Sequence, residues 1–392
     1  MQRSEKRILT THVGSLIRPR ELLELTHVPV EGGQVSSASR GVDYAKEPQD
    51  QTYRDVLRSA VKDVVRREAA AGVDVVSDGE FGKSSWAAYI LERITGFEKH
   101  PERLSPLTWL GSDRERFREF WEAEMPAALT GVPADVVVGP ITYKGHDAIQ
   151  RDIDNFKAAL AEVQVTEGFL PVAAPASVGY NAFNDYYKTD EEYVYAVAEA
   201  LRNEYLAIVD AGLLLQIDDA VLTHMHEEPN YRKWATTRIE ATNHALRGIP
   251  PEKVRYHICF GSWHVPHVAD APLSKIIDLV LSVNAGAYSI EAANPRHEWE
   301  WTIWESTKLP EGKILIPGVI THHTNVVEHP ELIAQRILRF AKLLGRENVI
   351  AGSDCGFAQA AGVQRVHTSI MWAKLESLAE GARIATNTLW SS

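Results

Sequence analysis

One pattern recurs along this 392-residue chain: an amphipathic helix, then Ala-Gly, then a short apolar strand that ends in an acid. It reads "REAAAGVDVVSDGE" (67–80), "IVDAGLLLQIDD" (208–219) and "LSVNAGAYSIEAAN" (281–294), with a looser copy in "AKLLGRENVIAGSDCG" (341–356). The glycine suits the left-handed position that closes a helix, because it has no Cβ to clash there. A run of β-prone residues follows each time. Parallel strands cannot be joined by tight hairpins, so helix-to-strand punctuation of this kind predicts a parallel sheet with helical crossovers.

Four more strands are expected at "RILTTHVGS" (7–15), "EGFLPVAAPA" (167–176), "VRYHICFG" (254–261) and "KILIPGVITH" (313–322), which makes eight. Segments 50–71, 189–211 and 328–344 carry apolar residues at helical spacing and are the expected crossovers. Eight strands in one α/β chain favour a closed (β/α)8 TIM barrel, which needs about 250 residues. The surplus is expected as insertions after the first and second strands of a single domain spanning 1–392. One is the polar stretch 27–50, read as a long loop between first strand and first helix. The other is 96–150, with an extra strand in "ADVVVGPITY" (134–143). A doubly wound sheet is the rival, but no G-x-G-x-x-G follows a strand.

Composition excludes some partners. A formal charge of −12 leaves no general footprint for nucleic acid or an anionic membrane surface. No apolar run approaches the roughly 20 residues that span a bilayer. The opening "MQRSEKRILTTHVGS" has no apolar core of a secretory signal. Two widely spaced cysteines make no disulfide framework and suit a reducing compartment, so a cytoplasmic protein is expected. The sequence is compatible with a homo-oligomer.

In a barrel the C-terminal ends of the strands carry the chemistry. Here those ends hold Val13, Gly14 and Ser15, then Asp78 and Glu80, then Asp218 and Asp219. His257 and Cys259 follow, then Glu291, His322 and His323, and finally Asp354 and Cys355. His257 and Cys259 are two apart, which on a strand puts both on one face. With Glu291 and Cys355 they form a set of zinc-ligand types: two soft thiolates, an imidazole and a carboxylate that can be exchanged. The plainer reading is that buried cysteine behaves as a small hydrophobe. The histidines of "THMHEE" (223–228) and "HVPH" (264–267) read as solvated surface.

Taken in order, these strand-end motifs resemble the C-terminal half of cobalamin-independent methionine synthase and its free-standing relatives, which include the epoxyalkane:coenzyme M transferases. The likeness runs from "TTHVGSLIRP" to "GSDCGF". It implies a zinc site of His257, Cys259, Glu291 and Cys355. It implies homocysteine binding by Val13, Gly14, Ser15, Glu80 and Asp218, and a proton donor at His323 or its neighbour His322. Two departures stand out. His224 occupies the place of a glutamate that holds the pterin in that family, and Tyr180 or Asn181 falls where its folate-stacking tryptophan lies.

The resemblance therefore implies zinc-dependent methyl transfer from a small-molecule donor other than folate polyglutamate to a small thiol such as homocysteine. One alternative is epoxide opening by coenzyme M, which needs a cationic pocket for a sulfonate; Arg18, Arg20 and Lys83 are the candidates. Another is a non-catalytic zinc-containing barrel that binds a metabolite.

Overall fold

The computed structural model describes residues 1–26, 50–107, 110–261 and 264–391. Its strands are β1 (Leu9–Thr10), β2 (Val75–Val76), β3 (Phe97–Ser105), β4 (Val132–Val137), β5 (Glu167–Ala173), β6 (Phe183–Asn184), β7 (Leu214–Asp219), β8 (Val254–Ile258), β9 (Ala287–Ile290), β10 (Ile314–Ile320) and β11 (Ile350–Ser353). Eight of them form one parallel sheet in the order β1-β11-β10-β9-β8-β7-β5-β2. A parallel bridge between Thr11 and Val75 joins its two ends, so the sheet is a (β/α)8 barrel.

The crossover helices follow the predicted spacing. Gln51–Ala70 links β1 to β2 and buries Leu57, Ala60, Val61, Val64 and Val65 along one stripe. Asp190–Asp210 links β5 to β7, and Pro330–Leu344 links β10 to β11. Side chains cap all three: Asp50 accepts from the Tyr53 amide, Thr189 from Glu192 and His329 from Glu331. Gly72, Gly212 and Gly345 close their helices with φ of 85°, 87° and 89°. Gly286 does not follow that rule. A Cβ there would stand 2.6 Å from the Pro251 carbonyl oxygen, so a close backbone approach explains this glycine.

The insertion after β2 holds β3 and β4, paired antiparallel, and β6 joins β4 to complete a small separate sheet. Leu107, Leu110, Trp121, Met125 and Ala128 pack as a satellite core beneath it. After β1 a helix at Arg20–Leu25 was not foreseen, and residues 27–49 of the expected loop lie outside the described residues.

Strand alternation sorts the barrel side chains. Val254, Tyr256 and Ile258 join the large core under the helices, as do Leu215, Ile217, Tyr288 and Ile290. The opposite faces of the same strands present Arg255, His257, Gln216, Asp218 and Ser289 to the interior. There Arg255 is fully buried, donating to the Thr11 hydroxyl (3.0 Å) and the His12 carbonyl (2.9 Å) and lying over the Phe169 ring. A polar interior is thus built by local periodicity, with its open end at the strand C-termini.

Candidate active site

Strand β8 ends in His257 and, just beyond it, Cys259; β11 runs into Cys355. Barrel curvature brings their ligand atoms together, all within 4.8 Å of one another and all buried. The two sulfurs are 3.5 Å apart. That is far beyond a disulfide bond, and close to the roughly 3.8 Å that two 2.3 Å metal–sulfur bonds make at a tetrahedral angle. His257 Nδ1 meets the Ser289 hydroxyl at 3.2 Å, which orients the ring, while its Nε2 is buried without a partner. A buried orphan imidazole nitrogen beside two thiols fits a metal ion.

Glu291 lies beside the trio but outside its 4.8 Å set. One carboxylate oxygen accepts from the Phe260 amide (2.9 Å) and the other from Asn294 Nδ2 (2.9 Å). Burial, then the Cys259 and Asp354 charges, push its carboxyl well above the ordinary range. The hydrogen bond to Cys355, with burial, pushes the Cys259 thiol up as well. A cluster of would-be anions of this kind is chemically suited to holding a cation.

The residues read as acceptor-binding come from the ends of β1, β2 and β7. Val13 packs directly with Cys259 and Cys355. The Gly14 carbonyl accepts from the Ser77 hydroxyl (3.1 Å), Leu16 N–H donates to the Gly79 carbonyl (3.1 Å), and the Phe357 amide donates to the Ser15 carbonyl (2.8 Å). Val13–Ser15 is thereby tied both to the "DGE" turn and to the Cys355 loop. Glu80 takes φ of 59°, among the described residues the one non-glycine in the left-handed region. The Asp78 carboxylate holds that turn by accepting the Glu80 amide (2.9 Å). Strain of this kind gathers where a side chain must be aimed. Asp218 is in electrostatic reach: burial chiefly pushes its carboxyl up to about 7, the Glu80 charge adds to this, and His257 and Lys83 oppose it.

Lys83 is buried, 3.4 Å from a Glu80 carboxylate oxygen, and also donates to the Pro171 carbonyl. Arg18 is spent on the carbonyls of Ala358, Glu80 and Lys83, and Arg20 pairs with Glu24 on the surface. None of the three cations considered for a sulfonate is uncommitted.

On the β10 side, His322 is buried with both ring nitrogens unpartnered, and its ring is 4.7 Å from that of His323. Burial, then His323, Arg365 and His257, push the His322 imidazole well below its usual range. His323 is held down to about 4, by burial and then by His264 and His267. Buried Lys374, bonded to Glu328 and to the Thr321 hydroxyl, anchors the loop that carries both.

Several neighbours of these residues carried no sequence signal. Trp86 stacks on Tyr180, ring centroids 6.1 Å apart, so an indole does stand beside that position but comes from the β2 loop. Asn294, three residues past Glu291, bridges it to Asp354. His267 departs from the solvated-surface expectation: it pairs with Asp270 at 3.1 Å, and Asp270 pairs with His297.

Residues 159–374 match the family model described as the cobalamin-independent synthase, catalytic domain. The chain is 23% identical over 382 residues to a methionine synthase of Sulfurisphaera tokodaii, covering 97% of this chain and 93% of that one. To a methionine synthase of Saccharolobus islandicus it is 25% identical over 383 residues, covering 97% and 95%. A B12-independent methionine synthase of Shewanella sp. W3-18-1, solved with selenomethionine, superimposes with a TM-score of 0.72 at 18% identity, over 98% of this chain and 100% of that one, and shares the fold.

Proposed function

The chain belongs to the cobalamin-independent synthase catalytic-domain family, and from that premise we propose that it is a zinc-dependent methyltransferase whose acceptor is an amino thiol such as homocysteine. The observation that carries the reading is the meeting of His257, Cys259 and Cys355 within 4.8 Å, with Val13 packed against both thiols. These three ligands and Glu291 would hold the ion, which when bound keeps the acceptor sulfur a thiolate at neutral pH.

The protein's own groups do the rest. Glu80 and Asp218 offer two carboxylates to an α-ammonium group, and the Val13–Ser15 turn borders the same space. The low dielectric there strengthens that pairing. The commitments of Arg18, Arg20 and Lys83 speak against a sulfonate-headed thiol such as coenzyme M. His322 and His323 stand side by side just after β10, His323 being the proton donor that the family resemblance implies. Burial keeps both rings neutral, and a neutral imidazole is a weak acid, so a donor whose leaving group needs little protonation suits this site. His224, pushed down to about 4 chiefly by burial, cannot replace a carboxylate that accepts two hydrogen bonds from a pterin edge. The donor is accordingly a methylated small molecule other than folate polyglutamate.

The deciding experiment is thiol consumption by zinc-loaded protein with homocysteine and coenzyme M, each against a panel of methyl donors and epoxides. Methylation of homocysteine by a non-folate donor supports the proposal. Alkylation of coenzyme M alone, or no turnover with any pair, refutes it.

A further inference from the structure

Both groups that donate to Glu291 also meet His297, Phe260 through its ring and Asn294 through the His297 main-chain amide. The Phe260 amide donates to one oxygen, and the Phe260 ring stacks on the His297 imidazole with centroids 3.8 Å apart and planes 25° from parallel. Asn294 Nδ2 donates to the other oxygen, while Asn294 Oδ1 accepts the main-chain amides of Arg296 (3.0 Å) and His297 (3.1 Å). The imidazole is itself clamped. Its Nδ1 meets Glu300 at 2.8 Å and its Nε2 meets Asp270 at 3.1 Å. Glu300 also accepts the Leu273 amide (2.7 Å), and Asp270 also pairs with His267 (3.1 Å).

A ring with only a packing role would need no such clamp. Phenylalanine or leucine would cover Phe260 as well, without burying an imidazole between two carboxylates. The two acids overcome the cost of burial and raise the imidazole to about 9, so it stays charged and keeps both bonds. Metal-binding carboxylates are commonly oriented by groups of this kind, whose loss weakens metal affinity.

We infer that His297 is a positioning residue for Glu291: clamped by Asp270 and Glu300 and stacked on Phe260, its imidazole holds the Phe260 amide against the carboxylate offered to the ion, and so sets the affinity of the site. The inference rests on the proposed metal site, and the test separates the two. Zinc affinity of the metal-free protein is measured by competition with a chromophoric chelator, with no substrate present, for wild type, His297→Ala, Glu291→Ala and the double variant. His297→Ala should weaken zinc binding about 10–100-fold. In the Glu291→Ala background the same change should cost no more than about twofold. Equal losses in both backgrounds, or no loss in either, overturn the inference. Should His297→Ala fail to fold, as judged by circular dichroism, His297→Gln keeps a side-chain donor and enters the same cycle. A wild-type protein that binds no zinc overturns the metal site and the inference with it.

Discussion

Replacing Glu80 by Gln separates two roles that one carboxylate plays. Its partner Lys83 lies 3.4 Å away with both side chains buried. At an effective dielectric of 20 that pair attracts by about 5 kcal/mol, and removing one member of a buried pair typically costs about 3–5 kcal/mol in stability. Glu80→Gln should therefore lower the denaturation midpoint clearly, while Glu80→Gln combined with Lys83→Met should recover much of the loss. Acceptor binding should respond differently. A lost charge-assisted hydrogen bond is worth roughly 1.5–3 kcal/mol, so KM for homocysteine should rise about 10–150-fold. Restoring stability in the double variant should not restore it. A thiol of the same length without the amine should be little affected by either change. The assay is steady-state methyl transfer with both acceptors, run on protein shown to be folded at the assay temperature. Equal rises in KM for both acceptors would refute the assignment and leave Glu80 as a scaffold residue held by Lys83.

Three further outcomes are expected. Cys259→Ser with Cys355→Ser should abolish stoichiometric zinc, measured by elemental analysis, because a hydroxyl does not replace a thiolate toward zinc; chelating the metal from wild type should end turnover yet leave the circular dichroism of the barrel intact. His297, raised to about 9 and faced by Asp270, Glu300 and Glu291, should lend roughly 3 kcal/mol of stability. That contribution is complete below its ordinary pKa of about 6.5 and is lost as pH rises through about 9, so denaturant midpoints should fall more steeply across that interval in wild type than in His297→Ala, where buried acids such as Asp218 still titrate. With triglutamate methyltetrahydrofolate and homocysteine, turnover should stay far below about 1 s⁻¹; a rate at that level in a steady-state assay would show that His224 and Tyr180 do not exclude the pterin.

Local rules determined much of this protein before any folding was known. The Ala-Gly punctuation marked helix ends and strand starts, because glycine at 72, 212 and 345 answers a backbone demand that few other residues meet. The two-residue period of a strand put His257 and Cys259 on one face. What needed the closed barrel was every relation between strands. Cys355 reaches 3.5 Å from Cys259 although β9 and β10 stand between their strands, since curvature turns sheet separation into proximity across the mouth. Whether Lys83 is free for a ligand or committed to Glu80 depends on the strained Glu80 turn and on Pro171 from β5, which no local pattern encodes. The same holds for Glu291, whose carboxylate accepts from an amide of the β8 loop and from Asn294, beside a histidine clamped between Glu300, three residues on, and Asp270 from the loop after β8. Periodicity and turn chemistry act over a few residues, so they assign elements and faces; charge pairing and desolvation act through space, and only the assembled barrel decides them.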